Sequence, residues 1–223
     1  MVTSTVEQYI KILFSEAERS EGQTVSMKQV SDSMQVTPGT ATSMAKHLAS
    51  LGLVEYTPRR GCRLTDRGMQ LALRMVRRHR LIETFLERTL EYDWSEVHAE
   101  AEQLEHAVSD RFIDRLDRFL SYPETDPHGD PIPGIYGEVT ADRTISLAEA
   151  SEGDSCTIVR ILDDSAEFLN LMRRMDLLPG ERCVIVSRDS AAGTVHVRST
   201  HTSAEELPLS SEAAGRIRVV PRR

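Results

Sequence analysis

The chain has 223 residues, 39% of them hydrophobic, enough to build one large or two small globular cores. A net charge of −8 argues against a surface that coats a polyanion uniformly, and three scattered cysteines, Cys62, Cys156 and Cys183, imply neither a disulfide framework nor a zinc cluster. The opening MVTSTVEQYIKILFSEAERSEG lacks the apolar core and cleavage site of a signal peptide, and no stretch reaches transmembrane length. A soluble, cytoplasmic protein with reduced thiols is the expectation.

Charge is divided along the chain. Residues 23–80 hold ten basic side chains against three acidic ones, a net of +7, whereas residues 81–120 hold four basic against eleven acidic, a net of −7. Such a division separates a part suited to polyanions from a part suited to cations.

Residues 3–20 predict a helix with Val6, Ile10, Leu13 and Phe14 inward, ended by Glu21–Gly22. Ser26 caps a short helix, MKQVSDSM. Thr37–Pro38 then starts a third helix with Met44, Leu48 and Leu51 inward and Gly52 as its stop. LVEYT and CRLTD follow as two strands around the basic tip Pro58–Arg59–Arg60–Gly61, so the order is that of a winged helix-turn-helix. Thr37, Pro38, Gly39, Thr40, Thr42 and Ser43 give the third helix a start that can come close to base edges. Arg59, Arg60 and Arg63 of the wing, with Lys28, Gln35 and Lys46, suit phosphates. Winged helices also serve as protein–protein modules, and small residues are common at helix starts. The local charge of +7 favours double-stranded DNA.

A long helix runs from Thr65–Asp66 to about Tyr92, and acidic and amphipathic runs follow over 95–108 and 109–120. His79 and Glu83 stand one turn apart, while His98, Glu102, Glu105 and His106 form a stripe opposite the apolar Val97, Ala101, Leu104 and Val108. A single His/Glu pair is ordinarily a solvated ion pair. Six such residues with no lysine among them would repel one another, and a divalent metal is the natural remedy. The wide apolar faces here, including Phe112, Ile113, Leu116 and Leu120, suggest an isologous homodimer.

Residues 121–142 carry four of the nine prolines and read as an irregular crossing segment, in which Asp126 and His128 are candidate ligands or mere turn residues. From Thr144 the period becomes two: SCTIVRI, RCVIVSR, TVHVRS and GRIRVVP read as strands, with a helix at 165–175, forming a small SH3-like barrel. The whole is mainly α with a small β domain, divided as 1–72, a winged helix-turn-helix; 73–142, a helical dimerisation and metal-binding domain with linker; and 143–223, the barrel.

With RRHRLIETFL, VHAEAEQLEHAVSD and DPHGDPIPG in place, the chain resembles the diphtheria toxin repressor family of metal-activated transcriptional repressors over essentially its whole length. LMRRMDLLPGERCVIV is similar to the small domain of bacterial ferrous-transport accessory proteins. The resemblance implies a regulatory metal site of Glu102, Glu105 and His106 with Gln8 from the first helix. It also implies a second site, formed by His79, Glu83 and His98 or, as in the longer manganese-responsive members, by Glu83 with Asp126 and His128. That branch has cysteine at the position of Asp126. A further oxygen ligand is expected from the barrel among Asp163, Asp164 and Glu167, with Asp163 taken first.

The resemblance also bears on metal choice. Glu102 stands where the iron-responsive branch has cysteine, and carboxylate in place of thiolate favours a hard ion. Gln8 replaces an aspartate of the manganese branch, and Lys11 stands where its small members have a glutamate. The expectation is a homodimeric repressor of metal-uptake genes, with two Mn²⁺ sites per subunit, bound to an inverted-repeat operator. An Fe²⁺-responsive repressor is the alternative in the same family, and a His/Glu metalloenzyme the alternative from another class.

Overall fold

The computed structural model describes residues 3–19, 24–139, 143–200 and 206–222. The described chain divides into two compact units. One runs up to His79 and includes Pro133–Val139; the other holds Arg80–Ile132 and the residues from 143 onward.

The first unit contains α1 (Ser4–Arg19), α2 (Met27–Ser33), α3 (Pro38–Ser50), β1 (Val54–Thr57), β2 (Gly61–Leu64) and the first half of α4 (Asp66–Leu90). The expected end of α1 at Glu21–Gly22 lies outside the described residues. α2 begins with a full capping box, in which Ser26 accepts from the Gln29 amide and the Gln29 side chain accepts from the Ser26 amide. α3 begins at Thr37, whose hydroxyl accepts from the Thr40 amide, with Pro38 at the first helical position. Such caps contribute about 0.5–2 kcal/mol each.

The inward side of α3 is Ala41, Ala45 and Leu48. Leu51, expected inside, caps the helix and is 37% exposed, because the chain has by then left the helical path. β1 and β2 pair antiparallel as Val54↔Leu64 to Thr57↔Gly61. Gly61 has φ +122, and a Cβ there would come within 2.1 Å of the Val25 carbonyl oxygen, so only glycine lets the wing lie against the Val25–Cys62 bridge. Ile10, Leu13, Val30, Leu48, Leu53, Cys62 and Ala72 fill the core.

The second unit continues α4 and adds α5 (Val97–Leu104) and α6 (Asp110–Phe119), packed through Leu81, Ile82, Leu86, Val97, Ala101, Ile113 and Leu116. α5 is shorter than the stripe of residues 95–108 suggested. The chain turns after Leu104, and the Ser109 hydroxyl caps α6 by accepting from the Phe112 amide. Phe112 and Phe119 point away from this core and are 45% and 64% exposed.

The barrel follows as β3 (Ile145–Ser146), β4 (Ser155–Ile161), α7 (Ala166–Arg174), β5 (Arg182–Asp189), β6 (Thr194–Ser199), β7 (Leu207–Ser210), α8 (Ser211–Gly215) and β8 (Ile217–Arg222). Its strands pair antiparallel in the order β3-β8-β4-β5-β6-β7, with bulges between Ile158 and Arg160 and between Ile185 and Ser187 that increase the local twist. Trp94, from the segment joining α4 to α5, is buried in the barrel's own core beside Leu169 and Met172. Arg173 of α7 lies over the Trp94 ring and pairs with Asp93. Among the described residues no helix is long and apolar enough to cross a membrane.

Candidate metal centre and nucleic-acid interface

Asp126, His128 and Glu83 come together through one tight turn. Asp126 Oδ1 accepts from the amides of His128 at 2.8 Å and Asp130 at 2.9 Å, an arrangement that aspartate forms readily. Gly129 follows with φ +85, and a Cβ there would lie 1.9 Å from the Val159 carbonyl oxygen, so the turn rests directly on β4. The Ile161 amide donates to the His128 carbonyl at 2.9 Å and fixes that contact. One ligand atom from each of Glu83, Asp126 and His128 falls within 4.8 Å of the others, and all three residues are buried.

The His128 Nε2 lies 3.0 Å from the Trp94 carbonyl oxygen, which can only accept, so Nε2–H is the donor of that bond and Nδ1 is the ring nitrogen not used in it. Burial raises the Asp126 carboxyl well above the ordinary range, and the nearby Asp130 and Glu83 add to this. Arg80, with Nε 3.5 Å from Asp126 Oδ2, works in the opposite direction. Arg80 also donates to the Pro131 carbonyl at 2.7 Å and to Asp130 Oδ1 at 3.3 Å. Two buried carboxylates and one imidazole nitrogen, crowded at a cost that a cation removes, fit a hard or borderline divalent ion.

His98 of α5 stands beside this group. Its Nδ1 is 3.2 Å from Glu83 Oε1, and its Nε2 is 3.5 Å from Asp164 Oδ2 and 3.8 Å from Glu102 Oε1. Asp163, expected as the barrel's ligand, is committed elsewhere. It pairs with Arg216 and accepts from the Ser165 amide. Burial pushes its carboxyl up, but the Ser165 hydrogen bonds and Arg216 outweigh that and hold it below the usual carboxylate value. The neighbouring Asp164 is the barrel carboxylate that reaches His98.

Glu105 caps α5 and is fully buried, and His106 Nε2 lies 3.5 Å from Glu105 Oε1 in the turn after the helix. Glu102 is one turn after His98 on α5. Within the first unit, Gln8 is half-buried on α1 and Lys11 is buried one turn further on. The Lys11 Nζ is 2.9 Å from His79 Nδ1.

All residues expected at DNA except the half-buried Thr42 are exposed. These are Lys28 on α2, Gln35 between α2 and α3, Thr37, Pro38, Gly39, Thr40, Ser43 and Lys46 along α3, and Arg59, Arg60 and Arg63 on the wing. Gln35 and Arg59 adopt positive φ, 52° and 66°, at the two tight turns. The hydroxyls of Thr37 and Thr40 lie 2.9 Å apart, which fixes the polar edge at the start of α3. Arg80 and Asp130, the charged wall of the buried group, escaped the sequence reading. The arginine was visible only as one of a basic run, and the aspartate as turn punctuation.

Comparison with known proteins finds a match for each part of the chain. Residues 1–62 match the family model described as the iron-dependent repressor N-terminal DNA-binding domain, and residues 65–134 match the iron-dependent repressor metal-binding and dimerisation domain. Residues 145–221 match the FeoA domain. The iron-dependent repressor IdeR of Mycobacterium tuberculosis is 32% identical over 98% of this chain and 97% of its own length, and the diphtheria toxin repressor of Corynebacterium diphtheriae is 27% identical over the same shares.

Among solved structures, a manganese-dependent transcriptional repressor in complex with manganese superposes with a TM-score of 0.88 at 37% identity, over 97% of this chain and 99% of that one. The manganese regulator SloR superposes at 0.79 with 33% identity over the full length of both. With a winged helix, a helical domain and a barrel each matched, the chain belongs to the diphtheria toxin repressor family of metal-dependent transcriptional repressors.

Proposed function

We propose that the protein is a homodimeric repressor activated by Mn²⁺, acting in the cytoplasm on an inverted-repeat operator of metal-uptake genes. The observation that carries the metal assignment is the chemistry of the donors. The buried group Glu83, Asp126 and His128 offers oxygen and imidazole nitrogen, and Glu102, Glu105 and His106 offer the same. The three cysteines lie fully buried within apolar cores, and burial pushes their thiols up to about 11 for Cys62 and Cys156 and about 12 for Cys183. Donor sets without thiolate favour Mn²⁺ over softer ions.

Two metal groups per subunit are assigned. One is Glu102, Glu105 and His106, to which the family resemblance adds Gln8. The other is Glu83, Asp126 and His128, flanked by His98 and by Asp164 in place of Asp163. The start of α3 reads base edges, and Arg59, Arg60, Arg63, Lys28, Gln35 and Lys46 hold phosphates. The domains are taken as 1–72, 73–142 and 143–223. Metal favours the DNA-competent state, so operator DNA tightens Mn²⁺ binding by the same factor.

An Fe²⁺-responsive repressor is the second reading, supported by the 32% identity to IdeR. Titrating the apo-protein with Mn²⁺, anaerobic Fe²⁺, Co²⁺ and Zn²⁺ and following operator binding separates the two. Activation at lower free Mn²⁺ than Fe²⁺, each set against its cellular level, supports the manganese reading; the reverse order replaces it with the iron reading.

A further inference from the structure

Residues 91–96 join α4 to α5, and Trp94 is the one buried side chain among them, seated in the core of the barrel. Its indole Nε1–H is buried and makes no hydrogen bond. The ring is held by apolar packing and by Arg173 of α7, whose guanidinium carbon lies 5.9 Å from the ring centroid. Arg173 also pairs with Asp93, so one side chain of α7 grips both the ring and the residue before it. The main chain at Trp94 is thereby tied to the barrel.

That main chain has a second contact. The Trp94 carbonyl oxygen accepts from His128 Nε2–H at 3.0 Å, and the two rings stand 5.5 Å apart. The backbone of His128 is fixed by other means. Its carbonyl accepts from the Ile161 amide at 2.9 Å, and Gly129 beside it lies against Val159. Those contacts place the Cα of His128 but leave the ring free to turn, because the terminal torsion of a histidine is broad. The bond to the Trp94 carbonyl sets the direction of the ring. Outer contacts of this kind orient a metal-binding imidazole and tune its affinity.

We propose that Trp94 is a positioning residue of the second metal group. Its indole, anchored in the barrel core, fixes the carbonyl that aims the His128 ring at Glu83 and Asp126. The packing of the barrel then governs the geometry in which His128 meets a cation. The proposal rests on the assignment of Glu83, Asp126 and His128 as a metal group, and all three lie in the same compact unit as Trp94 and the barrel.

The test compares full-length wild type with Trp94→Ala, Trp94→Leu, Trp94→Phe and Leu209→Ala. Leu209 belongs to the same core on β7, so its truncation loosens the barrel from another strand. Trp94→Leu keeps an apolar side chain in the core and should fold where Trp94→Ala does not. The first readout needs no metal. In the apo-protein, ¹H–¹⁵N spectra with labelled histidine should show a slowly exchanging His128 Nε2 proton in wild type, Trp94→Phe and Leu209→Ala. Trp94→Ala and Trp94→Leu should lose it. The second readout is calorimetric titration with Mn²⁺, in which the step that disappears in His128→Ala belongs to this group. That step should weaken about 10–100-fold in Trp94→Ala and Trp94→Leu and keep its wild-type affinity in Trp94→Phe and Leu209→Ala. A ring proton or a binding step that survives unchanged in Trp94→Leu overturns the proposal, as does an equal loss in Leu209→Ala. If His128→Ala removes no step, the metal assignment fails, while the ring proton still decides whether Trp94 positions His128.

Discussion

Asp126 uses its two carboxylate oxygens for different ends. Oδ1 accepts two backbone amides and shapes the turn, while Oδ2 lies 3.5 Å from Arg80 Nε, and Glu83 stands beside the carboxylate. The turn depends equally on Gly129, since any side chain there meets the Val159 carbonyl. Gly129→Ala should therefore displace the turn and lower Mn²⁺ affinity by about 10–100-fold, the range seen when supports behind metal ligands are altered. Calorimetric titration would check this, and an unchanged affinity would mean the turn does not position the ligands.

Asp93 carries a pH signature. The Ser95 side-chain hydrogen bond, with the Ser95 amide and Arg173, holds its carboxyl down at about 2 in the face of burial. A folded value below the unfolded one contributes stability above about pH 4 that fades as pH falls toward 2. Asp93→Asn should be less stable than wild type at neutral pH, with the gap closing over that window in denaturation experiments. A gap independent of pH would mean the carboxylate charge is not what matters.

At the scale of elements, the recognition helix and wing were legible because their signals are local. Thr37–Pro38 is a cap, and Pro58–Arg59–Arg60–Gly61 sits between two strands with clear patterning. The end of α5 was not legible. The His/Glu spacing continues a helix through His106, but the cap at Ser109 starts a new one, and Glu105 is buried in the turn between them. β3 and β7 were missed for a related reason. They have two and four residues, too few for an alternation to register, and β7 contains Pro208 on the sheet edge, where its missing N–H is tolerated. The group Glu83, Asp126 and His128 could be suspected from residue types, but its assembly depends on how the turn meets β4, which no spacing encodes. Replacing Arg59 and Arg60 of the wing by alanine should weaken binding to all DNA sequences and reduce the salt slope by about 1–2, the phosphate contribution expected of two side chains. An unchanged slope in a salt series would remove the wing from the interface.

At the scale of the molecule, α6 leaves Phe112 and Phe119 outward beside a well-filled helical core, and Phe85 meets the Phe119 ring edge-on at 6.2 Å. On the proposed homodimer this apolar face is the contact, so sedimentation in excess chelator should still give dimers, and Phe119→Glu should give monomers. Monomers of the wild type under chelation would mean that metal itself builds the interface.

On the proposed function, metal and operator favour one shared state of a homodimer. The most direct test is the affinity of the protein for operator DNA, by fluorescence anisotropy, in chelator and in saturating Mn²⁺, alongside the Mn²⁺ affinity with and without operator. Equal tightening in the two directions is the predicted result, because coupling between binding events is reciprocal. Operator binding that is as tight in chelator as in Mn²⁺ would contradict it.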